Sequence, residues 1–350
     1  MKNIVQEIFK KASICKEEKI NLMEVCGTHT MAIARSGIKS LLPDNINLLS
    51  GPGCPVCVTP QDVIDYAIAL AQREGLIITT FGDMVRVPGT HSCLEEYRPV
   101  IVYSPLDALD IAQHHPEQDV VFIGVGFETT SPTVAATIIK AEQLGIKNFF
   151  ILPAFKLIPP ALRYIASSPK INVQGFILPG HVSVIIGAQP YQFLAQEFHL
   201  PGCITGFEPV DILKGILNLV TQIAEERSAI EIEYTRVVKP DGNTRALTIL
   251  KKVFAPEPAS WRGIGTIPDS GLGLKERYKK FDIRKRYSIK IPKPKQPRGC
   301  ICGLILLGLK KPADCALFGD TCTPSQPIGP CMVSSEGACA AHYRYGLSHQ

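Results

Sequence analysis

Apolar residues fall along this chain in short runs, each closed by Gly, Pro, Ser, Thr or Cys, with stretches between them that carry apolar positions every three or four residues. The runs Asn21 to Val25, Ile46 to Leu49, Ile77 to Phe81, Val100 to Tyr103, Val120 to Val125, Phe149 to Leu152, Gly175 to Leu178 and Cys203 to Ile204 predict buried strands. After an opening helix, the intervening patterns predict helices over Thr28 to Leu42, Gln61 to Gln72, Pro132 to Leu144, Pro160 to Ala166 and Pro209 to Ala224. Strands alternating with helices form mostly parallel sheets covered on both faces, so the fold class is α/β. A break at His114-His115-Pro116 divides the pattern into two α/β domains, residues 1–116 and 117–255. Residues 231–253 read as a strand followed by a helix or a second strand. The remainder, 256–350, opens with a Pro/Gly-rich stretch to Gly273 that holds the lone Trp261 and reads as an irregular surface connection.

Two of the strand-closing turns carry chemistry. The first is Cys26-Gly27-Thr28-His29-Thr30 and the second is Gly51-Pro52-Gly53-Cys54-Pro55-Val56-Cys57. In an open parallel sheet, ligands bind in the crevice outside the carboxyl ends of the strands, so Cys26, His29, Cys54 and Cys57 are expected to face one cleft. Cys26 sits where a helix begins, and exposed amides there are expected to ease ionisation of its thiol. Cys54 and Cys57 form a C-x-x-C, which reads as a redox pair. The four residues also make a Cys₃His set suited to zinc. Gly-Phe-Glu recurs at Gly126 to Glu128 and Gly206 to Glu208, and Gly180-His181 follows another strand, so Glu128, His181 and Glu208 are candidates to support the site.

Composition narrows the class. The chain has 350 residues, 45% hydrophobic and 20% charged, ordinary for a globular protein of two or three domains. No apolar run approaches the length of a membrane span. The first residues, MKNIVQEIFKKASICKEEK, lack a signal-peptide block, so a cytoplasmic location is expected. Twelve cysteines in such a chain point to metal or redox work rather than a disulfide framework. The net charge of +5 is concentrated between Lys275 and Arg298, where eleven Lys and Arg face only Glu276 and Asp282. No nucleic-acid module accompanies that segment, which reads as a solvated linker or a dock for an acidic partner. There is no G-x-x-x-x-G-K-[ST] phosphate loop, and Gly124 to Thr129 lacks the third glycine of a dinucleotide fingerprint.

From Arg298 onward the text is RGCICGLILLGLKKPADCALFGDTCTPSQPIGPCMVSSEGACAAHYRYG, with Cys300, Cys302, Cys315, Cys322, Cys331 and Cys339. Its prolines and glycines oppose regular structure, and a metal centre is another source of order. Thiolates suit zinc and iron–sulfur clusters alike. The absence of a C-x₂-C pair, and ligands spread on loops whose amides can reach sulfur, favour a [4Fe–4S] cluster while zinc stays open.

The runs MEVCGTHT, SGPGCPVCVTP, GFETTSPT, LPGHVS, TGFEP, CALFGDTCTP and CMVSSEGACAAHYRYG, in that order, resemble the HypD family of [NiFe]-hydrogenase maturation over nearly the whole chain. The resemblance implies a scaffold that works with a HypC-type chaperone, carries an iron bearing two cyanides and one carbon monoxide, Fe(CN)₂CO, and accepts cyanide from a HypE-type partner. It implies a [4Fe–4S] cluster held through C-x₁₄-C-x₆-C-x₁₆-C, at which spacing Cys300, Cys315, Cys322 and Cys339 stand, with Cys302 and Cys331 as the alternatives. Cys26 matches the family's iron-binding cysteine, with His29 beside it, and Cys54 and Cys57 match its redox pair. An autonomous thiol–disulfide oxidoreductase with a cluster as electron donor is the rival from another class, and structural zinc a third. No standard catalytic motif marks the chain as an enzyme.

Overall fold

The structure, a computed structural model, describes residues 1–291, 294 and 297–346. Eleven strands lie among the described residues: β1 (Ile20–Glu24), β2 (Ile46–Ser50), β3 (Leu76–Thr80), β4 (Val100–Ile101), β5 (Asp119–Gly124), β6 (Phe149–Pro153), β7 (Gly175–Pro179), β8 (Gly202–Thr205), β9 (Ile230–Ile232), β10 (Phe254–Trp261) and β11 (Gly265–Leu274). Nine of them build two all-parallel sheets, ordered β2-β1-β7-β8-β9 and β4-β3-β5-β6. The strands β5, β6 and β7 are buried at every position, which is why they read as unbroken apolar runs. The edge strand β4 is exposed at both residues.

The eight strands expected from Asn21 to Ile204 agree with the structure to within a residue or two, but the division of the chain does not. A cut at residue 116 would separate β3 from β5, its hydrogen-bonded neighbour. The first sheet instead takes β1 and β2 from the start of the chain and β7 to β9 from beyond residue 174, with the second sheet inserted between them. Strand–helix alternation is the same in both units and carries no record of which strands pair. One buried apolar cluster contains Met23 and Phe176 of the first sheet, Val121 of the second, and Trp261 and Cys331 from later in the chain.

Two further expectations change. The helix expected over Thr28 to Leu42 runs only from Gly27 to Arg35, because Gly37 takes a left-handed conformation (φ 65°) and a short 3₁₀ turn, Ile38–Leu41, follows. The Pro/Gly-rich connection is an antiparallel hairpin, β10 against β11, with a register break between Glu257 and Ala259. Its prolines are tolerated because a two-stranded ribbon has only edges. Trp261 is buried, not on the surface; its indole N–H donates to Ser270 Oγ at 2.8 Å and its ring stacks on Phe127.

Much of the basic segment is a strap paired to acids. Arg277 and Lys280 reach Glu142, Arg286 reaches Asp119, and Arg284 reaches Asp282. Residues 292, 293, 295 and 296 of that segment lie outside the described residues. Among the described residues no helix is long and apolar enough to cross a membrane.

The last part of the chain is built of turns and short helices, Cys302–Leu306, Pro330–Val333 and Ala338–Tyr345. It packs on the carboxyl edge of the first sheet: Ala338–Tyr345 lies against the helix Gly27–Arg35, and Pro330–Val333 against the helix Pro55–Val58.

Candidate functional site

The two cysteine-bearing turns are stitched together by backbone. β1 and β2 are parallel neighbours, and beyond their ends the Gly51 amide donates to the Glu24 carbonyl (2.8 Å) and the Gly27 amide to the Gly53 carbonyl (2.9 Å). A Cβ on Gly53 would stand 2.2 Å from the Cys26 nitrogen, so only glycine permits this approach. Gly53→Ala is therefore expected to cost roughly 1–3 kcal/mol, as overpacking against fixed backbone does, and to displace the C-x-x-C turn. Urea denaturation, with accessibility of Cys26 to a thiol reagent, checks both.

Cys26 occupies the extended residue that starts the helix Gly27–Arg35. It is 8% exposed, and burial pushes its thiol up to about 12, although the amides of His29 and Thr28 pull the other way. The expectation of an easily ionised thiol is thus reversed. Desolvation of the anion outweighs the amides of one helix start. A cation bound at the sulfur would restore the thiolate.

Cys54 and Cys57 are joined in a disulfide, both buried, across the short helix Pro55–Val58. Pro55 fits the first helical position, where no amide is needed, and the Cys57 amide donates to Cys54 Sγ at 3.1 Å. His29 is fully buried. Its Nε2 lies 2.9 Å from both the Gly206 carbonyl and Thr205 Oγ1, and burial brings it down to about 4, so the ring is neutral. A proton on Nε2 donated to the carbonyl leaves Nδ1 as a bare, buried lone pair without a partner among the described residues. The Cys₃His set is not assembled here: two of its thiols are bonded to one another. Among the described residues no three His, Cys, Asp or Glu side chains meet the geometry of a metal site.

Of the supporting residues expected, Glu128 is buried, with Oε1 accepting the Ile158 amide at 2.9 Å and Oε2 unpartnered. His181 stacks on Phe207, which in turn lies against His29. Glu208 precedes the helix Pro209–Ala224 as its N-cap. Burial lifts Glu128 from 4.5 to about 7. A carboxyl whose folded value is raised holds its proton when the unfolded chain has lost it, so stability falls as pH rises from about 4.5 to 7. Glu128→Gln mimics the protonated form and should remove that loss, making the variant more stable than wild type at pH 8 but not at pH 4.5. At about 1.4 kcal/mol per unit the upper bound is roughly 3 kcal/mol, read from urea midpoints at the two pH values.

Two acids escaped the sequence reading. Glu24 is buried in β1, its Oε1 accepting the Thr30 hydroxyl (2.7 Å) and its Oε2 the Cys26 amide (3.4 Å). The signal was available, since Glu24 is a lone charge in an apolar strand. Glu336, between Cys331 and Cys339, accepts the Thr28 hydroxyl at 2.7 Å and covers Gly27 so closely that a Cβ there would lie 2.4 Å from its own. Nothing in local pattern marks Glu336.

The six cysteines of the last segment share one neighbourhood. Cys302, Cys322, Cys331 and Cys339 are buried, while Cys300 and Cys315 are partly exposed. Cys300, Cys302 and Cys331 lie close enough to act on one another's ionisation, and the thiols of Cys300 and Cys302 are pushed up. Cys339 is pushed up by burial first, then by the charges of Cys300, Cys322, Cys302 and Cys315. The Ile328 amide donates to Cys322 Sγ at 3.3 Å. The expected ligand set and both alternatives thus lie in one part of the molecule, although among the described residues no three of them close to the geometry of a metal site. Beside them the guanidinium of Arg262, 5% exposed, has a buried Nη1 with no partner among the described residues. Gathered soft donors, an amide aimed at sulfur and an orphaned cation fit a thiolate-bound, anionic metal group.

A sequence model of the family described as "HypD: Hydrogenase formation hypA family" matches residues 1–346. The chain is 43% identical over 344 residues to a protein of Cupriavidus necator named hydrogenase maturation factor HypD, covering 94% of this chain and 90% of that protein. It is 46% identical over 339 residues to the protein of that name from Rhizobium leguminosarum bv. viciae (93% and 88% covered), and 44% over 346 residues to that from Azotobacter vinelandii (95% and 91% covered).

Proposed function

The chain belongs to the HypD family of hydrogenase maturation factors, and on that premise we propose that it is a cytoplasmic scaffold on which Fe(CN)₂CO is assembled with a HypC-type chaperone and a HypE-type cyanide donor. The observation that carries the reading is the physical union of three thiol sites. Cys26 and the C-x-x-C turn share backbone hydrogen bonds, and the cysteine-rich segment touches both, through Glu336 on Thr28 and through Pro330–Val333 on Pro55–Val58.

Each site takes a distinct role. Cys26 is the ligand for the iron cargo, a soft sulfur suited to low-spin iron with carbon ligands. Its buried thiol stays protonated until a cation arrives, so the site resists adventitious reaction while empty-handed. His29 is anchored through Nε2, which leaves Nδ1 as a second donor or as a contact to the cargo's ligands. Cys54 and Cys57 are the dithiol/disulfide pair, and opening their bond takes two electrons and two protons. Cys300, Cys315, Cys322 and Cys339 would hold the [4Fe–4S] cluster, which when bound supplies electrons one at a time. Cys26 and His29 are too few donors for six-coordinate iron, so a thiolate from the chaperone closes the coordination sphere.

The disulfide by itself also favours the second reading, a free-standing thiol–disulfide oxidoreductase. Its sulfurs are buried, however, and an exogenous protein disulfide would need a thiol it can reach. Infrared spectroscopy on anaerobic protein co-produced with its maturation partners separates the two. Cyanide and carbon monoxide stretches bound to the chain support the scaffold, whereas their absence with intact disulfide reductase activity supports the rival.

A further inference from the structure

Among the described residues Arg262 is a buried cation that forms no ion pair. Its backbone amide donates to the Val58 carbonyl, at the end of the C-x-x-C helix, and its Nη2 donates to Gln61 Oε1 at 2.8 Å, while Nη1 is buried and unpartnered. The other side of the residue faces the cysteine-rich segment. Arg262 and Gly263 wall a cavity of about 160 Å³ together with Cys300 and Cys302, and a Cβ on Gly263 would stand 2.5 Å from the Gly303 Cα. Burial works against the guanidinium charge, and the groups working for it are, in order, Cys302, Cys331 and Cys300, ahead of Asp65.

An arginine remains charged in a protein interior, and a buried charge persists only where something of opposite sign meets it. With thiols in their neutral form the opposite charge left to it is that of Asp65, the last in that order. Four thiolates around an iron–sulfur core leave a net negative centre, and net charge and hydrogen bonds near the sulfurs set its potential. We infer that Arg262 is the resident counter-cation of the C-terminal thiolate centre, a positioning residue that favours the centre's reduced state and ties it to the helix carrying the Cys54–Cys57 pair. This rests on the reading of those cysteines as a cluster site.

The test uses the full chain, produced anaerobically, as wild type, Arg262→Lys, Arg262→Gln and Arg262→Met. Iron and sulfide per chain, the midpoint potential by optical redox titration and the melting of chelator-stripped protein are measured. A shift of the midpoint to lower potential is expected in Arg262→Gln and Arg262→Met, with Arg262→Lys nearer wild type. Stripped Arg262→Met should melt no lower than stripped wild type, because an apolar side chain relieves an uncompensated charge. Neutral variants that fold but fail to load, while Arg262→Lys loads, also support the inference. Unchanged potentials in the neutral variants overturn it, as does Arg262→Lys shifting as far as Arg262→Met. Stripped neutral variants that do not fold overturn it too, since they would make Arg262 a packing residue. Wild type lacking iron and sulfide would instead sink the cluster reading itself, whatever the variants do.

Discussion

Cys26→Ala should abolish retention of the cyanide- and carbonyl-bearing iron while leaving the Cys54–Cys57 disulfide and the fold in place. The thiol is the one soft, potentially anionic ligand in the turn, since His29 Nε2 is engaged with Gly206 and Thr205. The substitution itself is mild, because it removes one sulfur from the start of a helix whose backbone contacts are made by Gly27 and Gly53, at a cost of about 1 kcal/mol. Infrared bands of the cargo should fall to background in protein co-produced with partners, with the cluster's visible absorption unchanged. Metal and partner binding are linked by the same factor in both directions. Chaperone affinity measured by calorimetry should therefore rise when Fe(II) is present under strict anaerobiosis, and Cys26→Ala should remove only that increment. Equal affinity with and without iron, in wild type and variant alike, would mean the two proteins do not share the metal at Cys26.

The second large effect is expected in the cysteine-rich segment. Ala at Cys300, Cys315, Cys322 or Cys339 should each bleach the broad visible absorption of the anaerobic protein and strip its acid-labile sulfide. Ala at Cys302 or Cys331 should leave both. Each of the four also holds a different part of a segment with few regular elements, so loss of the metal group is loss of order: stability should drop together with colour. The discriminating pair is Cys300 and Cys302, two residues apart and side by side on one cavity wall. If Cys302→Ala bleaches and Cys300→Ala does not, the ligand set shifts to the alternative. Stoichiometric zinc without sulfide in the wild type would replace the cluster with a structural metal.

What the sequence disclosed and what it hid divide along the line between local and distant interactions. β5, β6 and β7 are legible because a strand buried on both faces must be apolar throughout. The pairing of Leu22 with Gly175 is not, since nothing within either run encodes the partner. Neighbouring strand ends correctly brought Cys26 toward Cys54 and Cys57. The acidity of Cys26 was misjudged because helix amides are visible in a sequence and burial depth is not. Trp261 looked exposed amid prolines and glycines, yet a hairpin buries it. Glu336 and Arg262 could not be found at all from local pattern, because each matters only through a neighbour far along the chain.

The interleaved first sheet has a consequence for how the protein is born. β1 needs β7 on one side, so a nascent chain that has made Glu24 must still add everything through Ile177 before that strand is enclosed. At 5–20 residues per second this is a wait on the order of 10 s, and the segment that presses on Thr28 and on the C-x-x-C helix leaves the ribosome later still. Throughout that interval Cys26, Cys54 and Cys57 lack the cover that later buries them. A partial product offers bare thiols, and only a chain that has reached the cysteine-rich segment can bury them.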